Sequence, residues 1–516
     1  MTNRAGARFG AAVASGILLV LAFPLPSVHG IVWFACVPLL AALAVEKKLV
    51  LGFFWGLVTG VVFLAGSLYW FVGVMRSYGG LTLPEALAAM LLFLALFSPF
   101  WAVFGLVEAW FARRSAGAAL LAAPFLWVAL ELARTYLLTG FPWNLLGYAV
   151  KAQGLDQVAT VTAVYGDSFL AVATSALVAW LILEPRRNAS RAALVAWVAA
   201  LIVANFILAP PRLAMPRHLA VLIQPDVPLD EAQVRNWTPW RNPVPLGHLV
   251  ELSEETVEQN ATGTRGNPLV IWSENSAPFF FDRGPIFRVA LETLARQLHA
   301  SVIANTITFV GGDTAKPQNT AVVLDPSGRV ILEYHKIHLV PMGEYVPSWL
   351  RFTRMSKVTS EVSDFVPGDS YRVGSTPEGG IGVFICYEAI FPQLVRRLVP
   401  SGPGVLVNIS DDAWYGASAA RFQHLRMVQF RAIENRRYLL RATNDGITAV
   451  IDPYGRITAT APLYRQAALP ARFAFVSSRT FYTAHGDVFA WACIILCAAG
   501  ILIGVFSHRV RGHSKL

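Results

Sequence analysis

Eight long apolar runs constrain the fold of this chain more than any other feature of its sequence. Seven precede residue 210 and one lies near the C-terminus, over 9–23, 31–45, 49–71, 84–111, 116–138, 161–183, 192–208 and 488–506. About 20 apolar residues cross a bilayer as a helix, and the first two runs are shorter than that. Hydrophobic residues make up 55% of the chain and charged residues 14%, unlike a soluble protein. The sequence therefore predicts a multi-pass α-helical membrane bundle of eight spans.

The basic residues decide how that bundle is oriented. The net charge is +10, and most Lys and Arg near the runs fall in alternate loops, at Arg4, Arg8, Lys47, Lys48, Arg113, Arg114, Arg186, Arg187, Arg191, Arg509, Arg511 and Lys515. Short loops rich in Lys and Arg stay in the cytoplasm. Both termini are therefore predicted to be cytoplasmic, and the long segment between the seventh and eighth runs to lie outside the cytoplasm. This distribution favours a membrane over nucleic acid as the reason for the basic charge.

One pair of charges lies inside a predicted span. Glu131 and Arg134 are three residues apart and share a helix face, so they can form an ion pair. Charges inside a membrane are costly and often functional. The alternative is a pair that snorkels to the membrane interface, and the sequence leaves both interpretations open.

The segment 212–485 has the composition of a folded α/β domain. Short apolar runs predict strands at 218–224, 269–272, 301–309, 320–324, 330–334, 380–386 and 405–409, and helical patterns cover 286–299 and 423–436. Turns are predicted at 325–328 and 452–455, where Asp-Pro precedes Gly. The predicted domains are thus a bundle of seven spans over 1–211, a layered α/β domain over 212–485, and an eighth span with a cytoplasmic tail over 486–516.

Three ionisable residues end apolar strands of this domain. Glu274 follows Leu269-Val270-Ile271-Trp272-Ser273, Lys336 follows a run that begins at Val330, and Cys386 follows Ile381-Gly382-Val383-Phe384-Ile385. A thiolate is a strong nucleophile, a carboxylate can accept its proton, and a lysine can hold an oxyanion. The other interpretation of Cys386 is a buried structural cysteine. It is the only cysteine of the segment, which therefore cannot hold an internal disulfide, and the sequence shows no metal-binding motif.

The three motifs together resemble the nitrilase, or carbon–nitrogen hydrolase, superfamily. Trp272-Ser273-Glu274, Tyr334-His335-Lys336 through Pro341, and Cys386-Tyr387-Glu388 occur in the order of that family's Glu-Lys-Cys triad. The resemblance covers most of 219–475 and implies an αββα sandwich. It also implies Glu274 as the general base, Lys336 as the oxyanion partner and Cys386 as the nucleophile.

Within the superfamily, the whole chain resembles the apolipoprotein N-acyltransferases. The resemblance extends to 341–347, 412–416 and 441–444, whereas Ser273 and Asp411 depart from the expected Pro and Asn. It implies a ping-pong acyl transfer from a phospholipid, commonly phosphatidylethanolamine, through a Cys386 thioester to the α-amine of a diacylglyceryl-cysteine on an apolipoprotein. Glu344 would orient Lys336 or the nucleophile, and Tyr387 and Glu388 would shape and support the site. The implied location is the bacterial inner membrane, with the catalytic domain in the periplasm; a monomer without cofactor, metal or nucleic acid is expected.

Four aromatic residues are candidates for substrate binding: Trp237, Trp349, Phe352 and Trp414. Trp237 corresponds to a family residue near the acyl donor, although an ordinary packing role fits it equally. Trp349 and Phe352 belong to the segment 345–367, in which apolar residues alternate with Arg351, Arg354 and Lys357. Such a pattern is typical of segments at a membrane surface, so we expect a mobile gate there rather than a plain solvated loop.

Two other functions use the same features. A membrane-tethered amidase would carry the same triad but give the acyl group to water, and a tether needs only one span. A transporter with a non-catalytic nitrilase-like domain would show internal repeats and several intramembrane charges. The chain has few such charges and keeps Glu274, Lys336 and Cys386.

Overall fold

The computed structural model describes residues 2–513 except 26, 29, 230–242, 278, 312–314 and 349–364, and describes side chains only between residues 5 and 505. Its helices are α1 Thr2–Ala22, α2 Val37–Leu43, α3 Leu49–Ser67, α4 Trp70–Ser77, α5 Leu83–Phe97, α6 Pro99–Ala112, α7 Ala116–Tyr136, α8 Ala159–Thr162, α9 Val164–Leu183, α10 Asn188–Ile207, α11 Val244–Asn260, α12 Pro285–Leu298, α13 Pro392–Leu398, α14 Ala420–Asn435, α15 Phe481–His485 and α16 Val488–His513. Its strands are β1 His218–Gln224, β2 Leu269–Trp272, β3 Ser301–Val310, β4 Lys316–Leu324, β5 Val330–His335, β6 Gly374–Thr376, β7 Gly379–Ile385, β8 Pro403–Ser410, β9 Tyr438–Thr443, β10 Ala449–Ile451, β11 Ile457–Thr460 and β12 Ala467–Phe473.

The chain divides into two compact units. The first comprises Met1–Tyr69, Ala88–Pro210 and His485–Leu516, and the second comprises Trp70–Leu87 and Pro211–Ala484. Among the described residues, helices long and apolar enough to cross a membrane cover Ala5–Ala22, Leu49–Ser67, Leu83–Ala112, Ala116–Tyr136, Val164–Leu183, Asn188–Ile207 and Val488–Val505. The second predicted span forms only a shorter apolar segment, Ile31–Leu43, in which a 3-10 turn precedes α2. The predicted membrane bundle is confirmed, and the described part of the chain contains seven full-length helices and one short one.

Three glycines bring α3 and α6 into close contact. Gly52, Gly56 and Gly60 recur every four residues and therefore line one face of α3. A Cβ atom at Gly56 would overlap the carbonyl oxygen of Trp101, and one at Gly60 would lie 2.9 Å from the Trp101 Cβ. The two backbones touch at this point, so any larger side chain must push the helices apart.

We expect Gly56→Ala to destabilise the first unit by about 1–3 kcal/mol, the usual cost of overpacking. The thermal unfolding midpoint in detergent measures this effect. Gly10→Ala is the matched control, because a Cβ at this helical glycine meets no atom within 4 Å. Equal midpoints for the two variants would contradict the close contact.

Inside the first unit, Glu131 and Arg134 are buried, 5% and 1% exposed, and each is hydrogen-bonded. The Glu131 carboxylate accepts from Trp127 Nε1 at 3.0 Å and from the Leu146 amide at 2.7 Å. Arg134 Nη1 donates to the Trp143 carbonyl at 2.9 Å. The two side chains therefore link α7 to the segment that follows it.

The main part of the second unit is a sandwich of two six-stranded sheets. The first sheet has the order β12-β1-β2-β3-β4-β5 and the second β11-β10-β9-β8-β7-β6. Strands of the two sheets face each other, α11 and α12 pack on the first sheet, and α13 and α14 lie on the side of the second. The predicted αββα sandwich is confirmed.

Parallel strands in each sheet set up a shared edge. β1, β2 and β3 are parallel neighbours in the first sheet, and β7, β8 and β9 are parallel neighbours in the second. The residues that follow such strands meet at the carboxyl edge of the sheet, where α/β proteins commonly carry their functional groups.

Candidate active site

The three residues predicted as a triad meet within the second unit, each just beyond a strand. Glu274 lies two residues after β2, Lys336 directly follows β5, and Cys386 directly follows β7. All three are buried, with exposed fractions of 4%, 2% and 6%. The structure thus brings together side chains that lie 112 or fewer residues apart in the sequence.

Glu274 and Lys336 belong to one network of ionic and hydrogen bonds. Lys336 Nζ lies 2.9 Å from Glu344 Oε1 and 3.6 Å from Glu274 Oε1. Asn319 Nδ2 donates to both carboxylates, at 2.8 Å to Glu274 and 3.1 Å to Glu344. The second oxygen of Glu274 accepts from the Asp411 amide at 3.0 Å. Lys336 therefore contacts two carboxylates whose positions are fixed by further donors.

These contacts and the burial of the site shift the pKa values of Lys336 and Glu274. Burial alone would lower the pKa of Lys336, but Glu344 and Glu274 raise it well above its usual range. Burial raises the pKa of Glu274, and the Lys336 charge opposes that rise. A permanently protonated lysine beside a carboxylate with a raised pKa suits a site that needs both a base and a fixed cation.

The Cys386 thiol interacts electrostatically with this network. Hydrogen bonding with the thiol lowers the pKa of Glu274, and hydrogen bonding with Ser410 lowers the pKa of the thiol. Burial raises the pKa of the thiol, Glu274 raises it further, and Lys336 opposes the shift. The Cys386 backbone has φ of 47°, a value that a non-glycine residue adopts at some energetic cost and often at functional sites. The raised pKa favours a protonated thiol at rest.

Glu388 connects the segment that carries Lys336 to the strand that carries Cys386. Its carboxylate accepts from the Ile337 amide at 2.7 Å, the Ile385 amide at 2.7 Å and the His338 amide at 3.1 Å. The Tyr334 hydroxyl lies 2.9 Å and 3.0 Å from its two oxygens. Burial raises the Glu388 pKa to about 7, although the amides of Ile385 and His338 oppose the rise.

The other predicted residues occupy varied positions. Glu344 binds Lys336 and accepts from the Val340 amide at 2.8 Å, and Tyr387 is buried against the rings of His338 and Phe391. Trp414 is half-buried, and its ring meets that of Tyr78 edge-on at 5.0 Å. Trp237, Trp349, Phe352 and most of the predicted gate over 345–367 lie outside the described residues.

A second polar network lies around Cys386, and no sequence motif indicated it. His424 Nε2 lies 3.2 Å from the Cys386 carbonyl oxygen, and His424 Nδ1 lies 3.0 Å from Asp412 Oδ1. Arg441 Nη2 donates to Asp412 Oδ2 at 2.5 Å. Asp412, His424 and Arg441 are fully buried. A helix, a strand and a loop supply these residues, so no local pattern could have grouped them.

The segment Trp70–Leu87 also contributes to this region. Tyr78 donates to the Ala413 carbonyl at 3.1 Å, and Trp70 Nε1 donates to Gln423 Oε1 at 3.4 Å. The Trp70 ring meets that of Tyr415 edge-on at 5.1 Å. The turn after Asp412 is therefore held by a segment that precedes it by more than 300 residues.

Asp411 is expected to make stability depend on pH. It is fully buried, and burial together with Glu274 raises its pKa to about 7. In the unfolded chain this carboxyl ionises near pH 4, so its charge destabilises the fold increasingly from about pH 4 to about pH 7. Asp411→Asn removes that cost, and Asn275, which now donates to Asp411 at 3.0 Å, can turn its amide to match.

The unfolding midpoint of Asp411→Asn should therefore exceed that of the native protein by more at pH 8 than at pH 5. The difference in unfolding free energy at pH 8 amounts to a few kcal/mol, at about 1.4 kcal/mol per pKa unit. A gain of the same size at both pH values would show that ionisation of Asp411 is not its cause.

Among the residues that the structure describes, no group of three or more His, Cys, Asp or Glu side chains is placed to hold a metal ion. The polar groups around Cys386 instead pair with one another. The site offers a thiol, a base, a fixed cation and backbone donors.

Comparison with known proteins identifies the family. The apolipoprotein N-acyltransferase N-terminal domain profile matches residues 15–177, and the carbon-nitrogen hydrolase profile matches residues 229–470. An apolipoprotein N-acyltransferase of Geobacter metallireducens is 36% identical over 98% of this chain and 96% of its own length. The chain belongs to the apolipoprotein N-acyltransferase family. The corresponding enzyme of Methylococcus capsulatus is 30% identical over 99% of this chain and 94% of its own length.

Membership of the apolipoprotein N-acyltransferase family confirms the resemblance seen in the motifs. With its apolar helices, it makes the chain a bacterial membrane protein. A solved carbon-nitrogen hydrolase from Helicobacter pylori is 18% identical, with a TM-score of 0.39, and covers 52% of this chain and 94% of its own.

Proposed function

We propose that the protein transfers an acyl chain from a phospholipid to the α-amine of the N-terminal diacylglyceryl-cysteine of an apolipoprotein. The observation that carries the proposal is that Glu274, Lys336 and Cys386 are all buried just beyond strand ends, with Glu274 Oε1 3.6 Å from Lys336 Nζ. Glu274 and Lys336 also shift the pKa of the Cys386 thiol, in opposite directions. A nucleophile, its base and an oxyanion partner are then in place before substrate arrives. The names of the relatives support the choice of substrates.

The first step forms a thioester. Glu274 takes the thiol proton, and the Cys386 thiolate attacks the carbonyl carbon of the phospholipid ester. Lys336 stabilises the oxyanion that develops on the carbonyl oxygen, since Glu344 holds its ammonium at 2.9 Å. The tetrahedral intermediate then breaks its ester C–O bond, Glu274 returns the proton to the leaving oxygen, and a lysophospholipid departs.

The second step uses the same residues in the reverse direction. The acceptor amine attacks the thioester carbonyl, and Glu274 takes a proton from the nitrogen. The C–S bond breaks, the amide product forms, and Glu274 returns the proton to the Cys386 thiolate. Tyr387 and Glu388 support this exchange through the packing and hydrogen bonds that keep Lys336 and Cys386 in position. We propose phosphatidylethanolamine as the donor and a monomer as the working form.

Intact-mass analysis tests the chemistry. After incubation with phosphatidylethanolamine, the native protein should gain the mass of one acyl chain, and Cys386→Ala should gain none. A diacylglyceryl-cysteine peptide added next should take up that mass and return the protein to its starting value. Loss of the acyl chain to water without a peptide would favour the amidase, and no mass gain in the native protein would favour the transporter.

We also propose that the α/β domain, residues 212–485, faces the periplasm and that both termini are cytoplasmic. The alternation of Lys and Arg among the loops supports this orientation. A membrane-impermeant thiol reagent should label Cys386 in spheroplasts, and Cys386→Ala is the control for labelling elsewhere. A reporter fused after Leu516 that is active only in the periplasm would contradict the orientation.

A further inference from the structure

Ser410 lies next to Cys386 at the end of the neighbouring strand. β7 and β8 are parallel and pair Ile385 with Ile409, so the next residues, Cys386 and Ser410, are neighbours at the ends of the two strands. The Ser410 hydroxyl donates to Asp412 Oδ1 at 2.9 Å, and hydrogen bonding with Ser410 lowers the pKa of the thiol. Ser410 is fully buried. A hydroxyl with two partners and one proton can serve only one of them as donor at a time.

Asp412 is a fixed anion that orients this hydroxyl. Burial alone would raise the pKa of Asp412, but Arg441 and His424 hold it well below its usual range. Arg441 also donates to Asn408 Oδ1, which ties the guanidinium to β8. His424 contacts both Asp412 and the Cys386 carbonyl oxygen, at 3.0 Å and 3.2 Å. One buried ion pair is therefore connected through His424 to the backbone of Cys386 and binds the hydroxyl of Ser410, the residue beside Cys386.

The need for a second donor follows from the chemistry of the sulfur. When the thiol proton moves to Glu274, the sulfur becomes an anion in a buried site and loses the hydrogen bond that it had donated. A rotation of the Ser410 hydroxyl from Asp412 to the sulfur supplies a new donor at once. The hydroxyl rotates back when the proton returns to the sulfur. Only the O–H group of Ser410 changes direction, and no covalent bond of Ser410 forms or breaks.

We propose that Ser410 is a catalytic residue that donates a hydrogen bond to the Cys386 thiolate, and that Asp412, held by Arg441 and His424, keeps its hydroxyl within reach. This inference rests on the proposed function, in which the thiolate attacks in the first step and leaves in the second. It assigns Ser410 the same task in both steps, namely to stabilise the sulfur anion.

Alkylation of Cys386 by iodoacetamide tests the inference without any acyl substrate. The rate is followed against pH by mass spectrometry of the peptide that contains Cys386, which separates it from Cys36, Cys493 and Cys497. The titratable groups around the thiol, namely Glu274, Lys336, Asp412 and Tyr415, are unchanged in every variant. A shift in the midpoint of the profile then reports on Ser410 itself.

Ser410→Ala should move the midpoint up by about one pH unit, which means about tenfold less thiolate below the midpoint. Ser410→Gly removes the same hydroxyl and should give the same shift, so the result does not depend on one variant folding. Ser410→Thr keeps a hydroxyl and should stay near the native midpoint. Ser273→Ala is the matched control, because it removes a buried hydroxyl that has no hydrogen-bond partner among the described residues.

A native midpoint in folded Ser410→Ala and Ser410→Gly would overturn the inference, even if the native protein forms an acyl-enzyme. If the midpoint shifts as expected but the native protein forms no acyl-enzyme with phospholipid, the assigned contact stands and the proposed function fails. The two failures are therefore distinguishable in one set of proteins.

Discussion

Lys336→Ala should lower the rate of acyl-enzyme formation by about 10²–10⁴, a range typical for the loss of an oxyanion donor or a catalytic base. The reason is electrostatic, because Lys336 is a cation 3.6 Å from Glu274, the proposed base, and no solvent ion can replace it in a site where it is 2% exposed. Glu274→Gln should have an effect of similar size, since it removes the proposed acceptor of the thiol proton. Cys386→Ala should abolish the acyl-enzyme altogether.

The appearance of acylated protein in a rapid-quench mass measurement gives these rates. Lys316→Ala is the matched control, because Lys316 is an exposed lysine of the same unit. Lys336→Met, which keeps the length of the apolar stem, separates loss of charge from loss of packing. Near-native acylation in Lys336→Met would remove Lys336 from the oxyanion role.

Glu388→Gln should lower turnover by about 10² or more, although Glu388 does not touch the thiol in the proposed mechanism. Its carboxylate accepts from three backbone amides and the Tyr334 hydroxyl. The glutamine side chain has one acceptor oxygen, so its NH2 group would face some of these N–H and O–H donors. Hydrogen bonds to a charged group are worth about 1.5–3 kcal/mol each, and a small displacement of catalytic groups can cost about 10² in rate. Lys336 and Cys386 would both move.

Turnover and the unfolding midpoint of Glu388→Gln should fall together. Tyr334→Phe, which removes one of the donors and keeps the ring, should show a much smaller loss in both. Turnover within a few-fold of native in folded Glu388→Gln would mean that other contacts hold the two segments.

The parts of the fold that the sequence predicted share a simple physical origin. β1 and β2 were predicted with the bounds observed, because both are continuous apolar runs that the sandwich buries. The turn at 325–328 was predicted from Asp325, whose side chain accepts from the amides of Ser327 and Arg329. Strand β12 was missed, because it is only partly buried, contains Pro470 and has no run of Val, Ile or aromatic residues.

The residues of the candidate site also fall into those that local sequence predicts and those that it does not. Glu274, Lys336 and Cys386 were found because each directly follows or nearly follows an apolar strand and can be named from local sequence. His424 and Arg441 were not, because they lie within a helix and a strand and meet Asp412 only through tertiary packing. The predicted spans 49–71 and 84–111 leave Tyr78 in the loop between them. No residue near Tyr78 in the sequence indicates a contact with Trp414.

The hydrogen bond between Trp70 and Gln423 joins residues 353 positions apart, and this separation governs how the protein can be made and cut. A ribosome produces Trp70 and Tyr78 long before their partners, so this contact forms only after nearly the whole polypeptide has been synthesised. Long-range contacts of this kind form late because the intervening chain must first be ordered. A fragment cut at residues 211 and 484 would lack both aromatic residues and leave the surface at 413–423 uncovered. A fragment of the α/β domain that is to fold without the membrane helices therefore needs residues 70–87, either fused to it or added as a separate peptide.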